Sequence, residues 1–170
     1  MWRRILQFMA PILVAVPLFI LACSSAKDSA KFANEAAQGG LAEVELGRLA
    51  AQKAADPSVR AFGQRMIADH SKAAAELKTL AARKGMQLPN EMNSEQKSEM
   101  DKLAKLSGAE FDKEYMSAML KDHEDDVKAF ETQSKEGNDS DVKAFAGKTL
   151  PTLQEHLQMA REAAQKVGAR

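Results

Sequence analysis

Apolar side chains recur every three or four residues through most of this chain, a spacing that places them along one face of an α-helix. The pattern predicts four long helices and one short helix before the third of them, over residues 28–55, 58–84, 94–106, 108–136 and 141–167. Capping-box patterns at Asn93–Gln96 and Ser107–Glu110 precede the short helix and the third long helix, with a bend near Gly108. Turn residues such as Asp56-Pro57, Gly85 and Gly137 separate them. Four long amphipathic helices with short turns predict an all-α, up-down four-helix bundle over residues 28–168.

One phrase occurs twice along the chain. Residues 62–70 and 115–123 both read aromatic, three residues, Met, aliphatic, one residue, Asp-His. At 3.6 residues per turn, the aromatic, Met and His of each copy lie on one helix face, so His70 and His123 are predicted to point into the bundle. His156 falls on the apolar stripe of the last helix, and Glu43 falls on that of the first.

These four polar residues are also predicted to lie at a common depth. If the turns after the first and third long helices share one end of the bundle, each residue is 12 to 15 positions from that end. At 1.5 Å per residue this is roughly 18 to 22 Å. The sequence therefore predicts one buried layer that contains Glu43, His70, His123 and His156.

Imidazole nitrogen with a carboxylate oxygen is a ligand set for one transition-metal ion, such as Zn, Cu, Mn or Fe. Asp69, Asp122 and Glu155 each precede one of the histidines, and they are candidates to accept a hydrogen bond from the ring nitrogen that does not bind the metal. The alternative is a hydrogen-bonded polar layer that only specifies helix packing. No catalytic residue is predicted, since the chain has no Gly-rich phosphate loop and no Cys-x-x-Cys-His motif.

The N-terminus has the features of a targeting segment. Arg3 and Arg4 precede an apolar run that is too short to span a membrane comfortably and that ends in Ile20-Leu21-Ala22-Cys23. This ending resembles the bacterial lipobox and predicts a lipoprotein signal peptide over residues 1–22, lipidation of Cys23 and a tether over 23–27. The alternative is ordinary signal cleavage near Ala26. Ser24 after the cysteine favours sorting to the outer membrane, with the domain on the periplasmic side of a bacterial cell envelope.

Composition and charge narrow the set of partners. Basic and acidic residues both number 24, and removal of the segment with Arg3 and Arg4 leaves 22 basic against 24 acidic residues, a net charge of −2. Nucleic acid is therefore not a predicted partner. The predicted contact is with the membrane through the lipid anchor, and the sequence names no protein partner.

Four stretches resemble an uncharacterised family of exported bacterial proteins, domain of unknown function 4142. They are residues 32–47, with Glu43 near the end, 66–72, with His70, 106–112, and 150–157, with His156. The resemblance covers residues 32–163 and implies a ferritin-like helical bundle without an established reaction. Ferritin-like proteins often hold two metals through Glu-x-x-His, but this chain has Ile67, Leu120 and Leu153 at the Glu positions, so a mononuclear site is expected.

Two functions of different classes follow from these observations. The first is an exported envelope lipoprotein that binds one transition-metal ion in its buried layer. For such a protein, the sequence favours a non-enzymatic role over catalysis. The second is a structural or stress-related envelope protein in which the same layer serves packing alone.

Overall fold

The computed structural model describes residues 19–169, and over this range the chain is all helical, without a β-strand. The helices are α1 Phe19–Lys53, α2 Pro57–Lys84, α3 Ser94–Ala104, α4 Gly108–Glu136 and α5 Ser140–Val167. None of the helices in this part of the chain is both long enough and apolar enough to cross a membrane. The prediction of a helical bundle with a short helix before the third long one is confirmed.

Several predicted helix ends are also confirmed by their hydrogen bonds. The side chain of Asp56 accepts from the backbone N–H of Ser58, and Pro57 follows as the first helical residue of α2. Gly85 ends α2 in the left-handed conformation, with φ 65°. Asn93 and Gln96 form the reciprocal hydrogen bonds of a capping box at the start of α3.

One predicted helix start is wrong, and one predicted helix cap does not form. α1 begins at Phe19 and not at Asp28, because no Gly or Pro interrupts residues 19–27 and the Ala- and Ser-containing segment continues the helix without a break. The second capping box, expected at Ser107, does not form, since the Ser107 side chain makes no capping hydrogen bond. The bend expected near Gly108 is present, because α3 ends at Ala104 and Gly108 has a φ of 60°.

The predicted signal peptide falls mostly on residues 1–18, which lie outside the described residues. The side chain of Cys23 is also outside the described side chains, so its predicted lipidation stays a prediction. The same holds for the domain boundaries at residues 22 and 27.

The four long helices form two hairpins, α1–α2 and α4–α5, that pack side by side. α1 also contacts α4, and α2 contacts α5. Near the start of α4, Asp112 is buried and accepts the backbone N–H groups of Ala55, at 3.1 Å, and Asp56, at 2.7 Å. Lys84, the last residue of α2, forms a 2.7 Å ion pair with Asp139 just before α5. The α1–α2 turn and the α4–α5 turn therefore lie at opposite ends of the bundle.

This arrangement corrects the predicted topology. The two turns do not share one end, because the loop after α2 and helix α3 return the chain along the bundle before α4 begins. α3 packs against α1 and α4, and Lys53 donates to the carbonyl of Ala104. One long crossover between two hairpins is the connection found in ferritin-like bundles. The four predicted site residues still come to one level, since the three histidines lie near the middle of their helices and Glu43 lies ten residues before the end of α1.

The apolar core is divided into two clusters along the bundle. The cluster at the α1–α2 turn includes Phe62, Met66, Tyr115, Met119 and Ala160. The cluster at the other end includes Phe32, Leu77, Phe130, Phe145 and Leu153. The layer of buried polar side chains lies between the two clusters.

A close approach of α1 and α2 sets one wall of the bundle. A Cβ added to Gly47 would lie 2.7 Å from the carbonyl oxygen of Gly63, and a Cβ on Gly63 would lie 2.8 Å from that of Gly47. Real Cβ atoms do not approach backbone oxygens this closely. Glycine at both positions therefore lets the two helix backbones meet just below the polar layer.

Candidate metal centre

The structure brings the four predicted residues into one layer, one from each long helix. The exposed fraction is 1% for Glu43, 6% for His70, 0% for His123 and 1% for His156. The ring centroids of the three histidines are separated by 5.2 to 5.9 Å. The predicted convergence of the three imidazoles in the bundle interior is therefore confirmed.

The protonation of His123 is determined by its own helix. Its Nδ1 lies 2.9 Å from the carbonyl oxygen of Met119. A carbonyl can only accept, so Nδ1 carries the proton and Nε2 carries a lone pair. Burial, with a smaller contribution from the neighbouring His70, lowers the pKa of His123 to about 3, and the ring is neutral at physiological pH.

His156 is oriented by a carboxylate from another helix. Its Nε2 lies 2.9 Å from Oδ2 of Asp69, on α2. Burial opposes ionisation of Asp69, but hydrogen bonds from Arg65 and His156 outweigh it and lower the Asp69 pKa. An ionised Asp69 accepts the Nε2 proton, which leaves Nδ1 of His156 with the lone pair. Burial also lowers the pKa of His156.

Glu43 lies between two of the rings. Its Oε2 is 2.7 Å from Nδ1 of His70, and its Oε1 is 3.3 Å from Nε2 of His123. The second pair lacks hydrogen-bond geometry, since neither atom has a hydrogen-bond partner among the described residues. Burial raises the pKa of Glu43 well above its usual range and lowers that of His70.

Each histidine thus turns one nitrogen to an oxygen and keeps the other free. Within residues 19–169, the buried histidine nitrogens without a hydrogen-bond partner are Nε2 of His70, Nε2 of His123 and Nδ1 of His156. One ligand nitrogen from each histidine lies within 4.8 Å of the others. The three histidines are therefore a group that could hold one metal ion.

The oxygen partners differ from those predicted from sequence. Asp69 contacts His156 rather than its neighbour His70. Glu155 is exposed and pairs with Arg65 at 3.1 Å, so it reaches the site only through Arg65 and Asp69. Asp122 makes no hydrogen bond to a histidine in the described part of the chain, although its charge acts on His70. The predicted hydrogen bonds of Glu155 and Asp122 to the histidine rings are therefore not supported.

Sequence reasoning missed two contributors. The Met119 carbonyl could not be found from the sequence, since every residue carries the same group. Asp126 could have been found from the sequence, because it lies one turn after His123 on the same helix face. Burial, followed by the charges of Glu43 and Asp122, raises the pKa of Asp126 well above its usual range, and Asp126 faces the same cavity as His70 and Glu43.

Comparisons with known proteins are consistent with this fold. The sequence profile described as Domain of unknown function (DUF4142) matches residues 22–163. A DUF305 fragment from Deinococcus radiodurans has a similar structure, with a TM-score of 0.71 and 12% identity over 81% of this chain and 95% of its own. A DUF305 protein from Streptomyces coelicolor, described as a candidate secreted protein, has a TM-score of 0.70 and 16% identity over 84% and 93%. No curated protein matches this chain.

Proposed function

We propose that this chain, which belongs to the DUF4142 family of domains of unknown function, binds one transition-metal ion through His70, His123 and His156. The observation that carries the proposal is the set of three buried ring nitrogens without hydrogen-bond partners among residues 19–169. Buried polar atoms in proteins are nearly always bonded, so three exceptions in one layer call for an explanation. A shared cation satisfies all of them at once.

A layer that served packing alone would pair these atoms with one another. Each of the three rings has a carboxylate or carbonyl oxygen at one nitrogen only. The remaining nitrogens of His123 and His156 present lone pairs, and that of His70 does so when Glu43 is ionised. Lone pairs that face each other at low dielectric repel, and this costs stability without a compensating contact. The packing alternative is therefore less well supported than metal binding.

Glu43 has two functions in this proposal. Its Oε2 holds Nδ1 of His70, and its unpartnered Oε1 is available as a fourth donor beside Nε2 of His123. The negative charge of Glu43 would offset part of the charge of a divalent ion in the apolar interior. A bound ion would accordingly lower the pKa of Glu43, which burial and, to a smaller extent, the charge of Asp122 raise.

The donor set selects a class of ions. Imidazole and carboxylate bind Zn²⁺, Cu²⁺, Fe²⁺ and Mn²⁺, whereas Ca²⁺ and Mg²⁺ prefer oxygen only. Nitrogens on one tetrahedral zinc ion are about 3.3 Å apart, given Zn–N bonds of about 2.0 Å. The three nitrogens, which lie within 4.8 Å of one another, would therefore move closer by small side-chain rotations when the ion binds.

The test is metal analysis of the exported protein, purified without a histidine tag and dialysed against each of the four ions. We expect one ion per chain, a higher melting temperature with the ion, and loss of both effects in His70→Ala. Gln158→Ala, on the exposed side of α5, is the matched control and should bind normally. Sub-stoichiometric binding of all four ions by the wild-type protein would leave the packing function as the better explanation.

We propose that the protein is located in the bacterial cell envelope and is anchored there by a lipid on Cys23. The lipobox-like residues 20–23 support this, as does the description of the similar Streptomyces coelicolor protein. Ser24 favours the outer membrane. The test is labelling with a fatty-acid analogue followed by membrane fractionation: wild type should be labelled and sediment with membranes, and Cys23→Ser should lose the label. A labelled Cys23→Ser protein would refute the anchor.

A further inference from the structure

Two glycines in the middle of α1 are not required by helix packing. Gly39 and Gly40 lie in the helix interior, where each costs about 1 kcal/mol relative to alanine. A Cβ on either residue would meet nothing within 4 Å, in contrast to Gly47 and Gly63, where helix packing excludes a side chain. The lack of a side chain at Gly40 therefore leaves space unfilled inside the bundle wall.

That space is a small cavity that reaches the candidate metal centre. It has a volume of about 20 Å³, and its walls include Glu43, His70, Asp126 and Gly40. One water molecule needs about 10–15 Å³, so the cavity has room for one molecule of that size. Its other walls include Ala36, Ala73 and Thr149, which are partly exposed, so the cavity leads from the buried layer towards the surface past small side chains.

We propose that the metal centre is open: besides the positions taken by the three histidines and Glu43, the ion keeps one coordination position that faces this cavity and binds a small neutral ligand. The inference rests on the metal site proposed above and adds a ligand class to it. Structural metal sites fill every position with protein donors, whereas reactive or sensing sites keep one position for water or substrate. The cavity lies on the side of the site formed by His70 and Glu43, and neither His123 nor His156 is among its walls.

The walls of the cavity restrict the ligand by size and by charge. A volume of about 20 Å³ admits water or a diatomic molecule such as dioxygen or nitric oxide, and it excludes organic substrates. No Lys or Arg is among the described residues that line the cavity, and burial of an anion without a cationic side chain beside it is costly, so an anion is disfavoured. Leu77, Phe130 and Leu153 form an apolar wall on the other side, which suits a neutral molecule.

The experiment measures exchange of solvent water at the metal by the longitudinal relaxation of water protons. The exported wild-type protein is loaded with Cu²⁺, the divalent ion that such a donor set binds most tightly. Water on the ion raises the relaxation rate above the level of a copper complex whose positions are all filled. Gly40→Leu should fill the cavity and abolish this contribution while one Cu²⁺ per chain remains bound.

Gly39→Leu is the matched control, because Gly39 is the neighbouring glycine and does not line the cavity. It should retain both the copper and the fast relaxation. If Gly40→Leu does not fold, as judged by its helical circular dichroism, Ala73→Leu fills the same cavity from α2.

The outcomes separate the two proposals. Stoichiometric copper with relaxation at the filled-complex level in wild type would overturn the open position and leave the metal site intact. Fast relaxation that persists in both Gly40→Leu and Ala73→Leu would also overturn it, since the water would then reach the ion by another route. Wild-type protein that binds no copper would refute the metal site, and the open position with it.

Discussion

Asp69 and His156 are 87 positions apart in the sequence, and their side chains are joined across α2 and α5 by a 2.9 Å contact between Oδ2 and Nε2. The immediate neighbour of Asp69 is His70, yet a side chain cannot turn back to the residue beside it on a helix. The contact keeps the proton on Nε2 and directs Nδ1 of His156 towards the other two rings. One carboxylate on α2 therefore sets the ligand atom offered by α5.

Asp69→Ala should weaken metal binding about 10- to 100-fold without changing the stoichiometry, the usual effect of removing an outer partner of a ligand histidine. The reason is that Nε2 of His156 loses its acceptor and the ring is free to change tautomer and orientation. Isothermal titration with Zn²⁺ measures the affinity. Arg65→Gln is the control, because it removes the Arg65 ion pairs but keeps the Asp69–His156 contact. Equal losses in both variants would mean that the ion pairs, and not the ring orientation, matter.

His123→Leu should leave the metal-free protein as stable as wild type or more stable. The substitution removes a buried nitrogen without a partner in the described structure and keeps a side chain of similar volume. The variant should also lose the increase in melting temperature that the metal causes. Urea unfolding in the presence of a chelator measures the first effect. A loss of more than about 2 kcal/mol there would indicate a polar network that stabilises the fold by itself.

The stability of the metal-free protein should fall between pH 6.5 and about 3 through His123, whose folded pKa is about 3. In this window the unfolded chain binds a proton that the folded chain excludes, so the free energy of unfolding decreases as pH falls, by up to about 1.4 kcal/mol per unit. Glu43 acts in the opposite sense, because its raised pKa contributes stability at low pH that is lost as pH rises.

Comparison of wild type with His123→Leu isolates the histidine, since both proteins retain Glu43. The variant should gain stability relative to wild type as pH falls through this window, measured by urea unfolding at a series of pH values. Parallel pH profiles for the two proteins would contradict the lowered pKa of His123.

Alanine at three helical glycines of α1 and α2 should change the stability of the protein in opposite directions. Gly47→Ala and Gly63→Ala should each destabilise the protein by about 1–3 kcal/mol, because the new methyl group would press on the backbone of the facing helix. Gly39→Ala should stabilise it by up to about 1 kcal/mol, since its Cβ meets open space. Thermal unfolding of the metal-free variants measures both. A neutral Gly47→Ala would show that α1 and α2 can separate without cost.

The helices and their ends were largely predictable because their causes are local. The period of the apolar residues, Pro57 after Asp56, Gly85 and the Asn93–Gln96 pair act within a few residues, and the structure has helix ends at each. The start of α1 was not predictable in the same way. Asp28 is a good N-cap residue, but an N-cap forms only at the first turn of a helix. Here α1 already begins at Phe19, so Asp28 lies inside the helix.

The direction in which the second hairpin packs was decided by the tertiary structure. The segment between α2 and α4 is long enough to end at either end of the bundle, so helix periodicity permits both arrangements. Asp112 favours the observed one, because it satisfies the N–H groups of Ala55 and Asp56 at the α1–α2 turn. The predicted layer is correct although the predicted direction of the second hairpin is wrong, because His70, His123 and His156 lie near the middle of their helices.

By itself, the sequence determined which residues enter the bundle interior, since helix periodicity fixes the face on which Glu43 and the three histidines lie. Only the tertiary structure decided which nitrogen of each ring is free, because that depends on the oxygen that each ring meets. Two of those oxygens belong to the side chains of Glu43 and Asp69, and each of them contacts a histidine on a different helix. The third oxygen is a backbone carbonyl. Contacts between helices depend on how the bundle packs, and local periodicity carries no information about that.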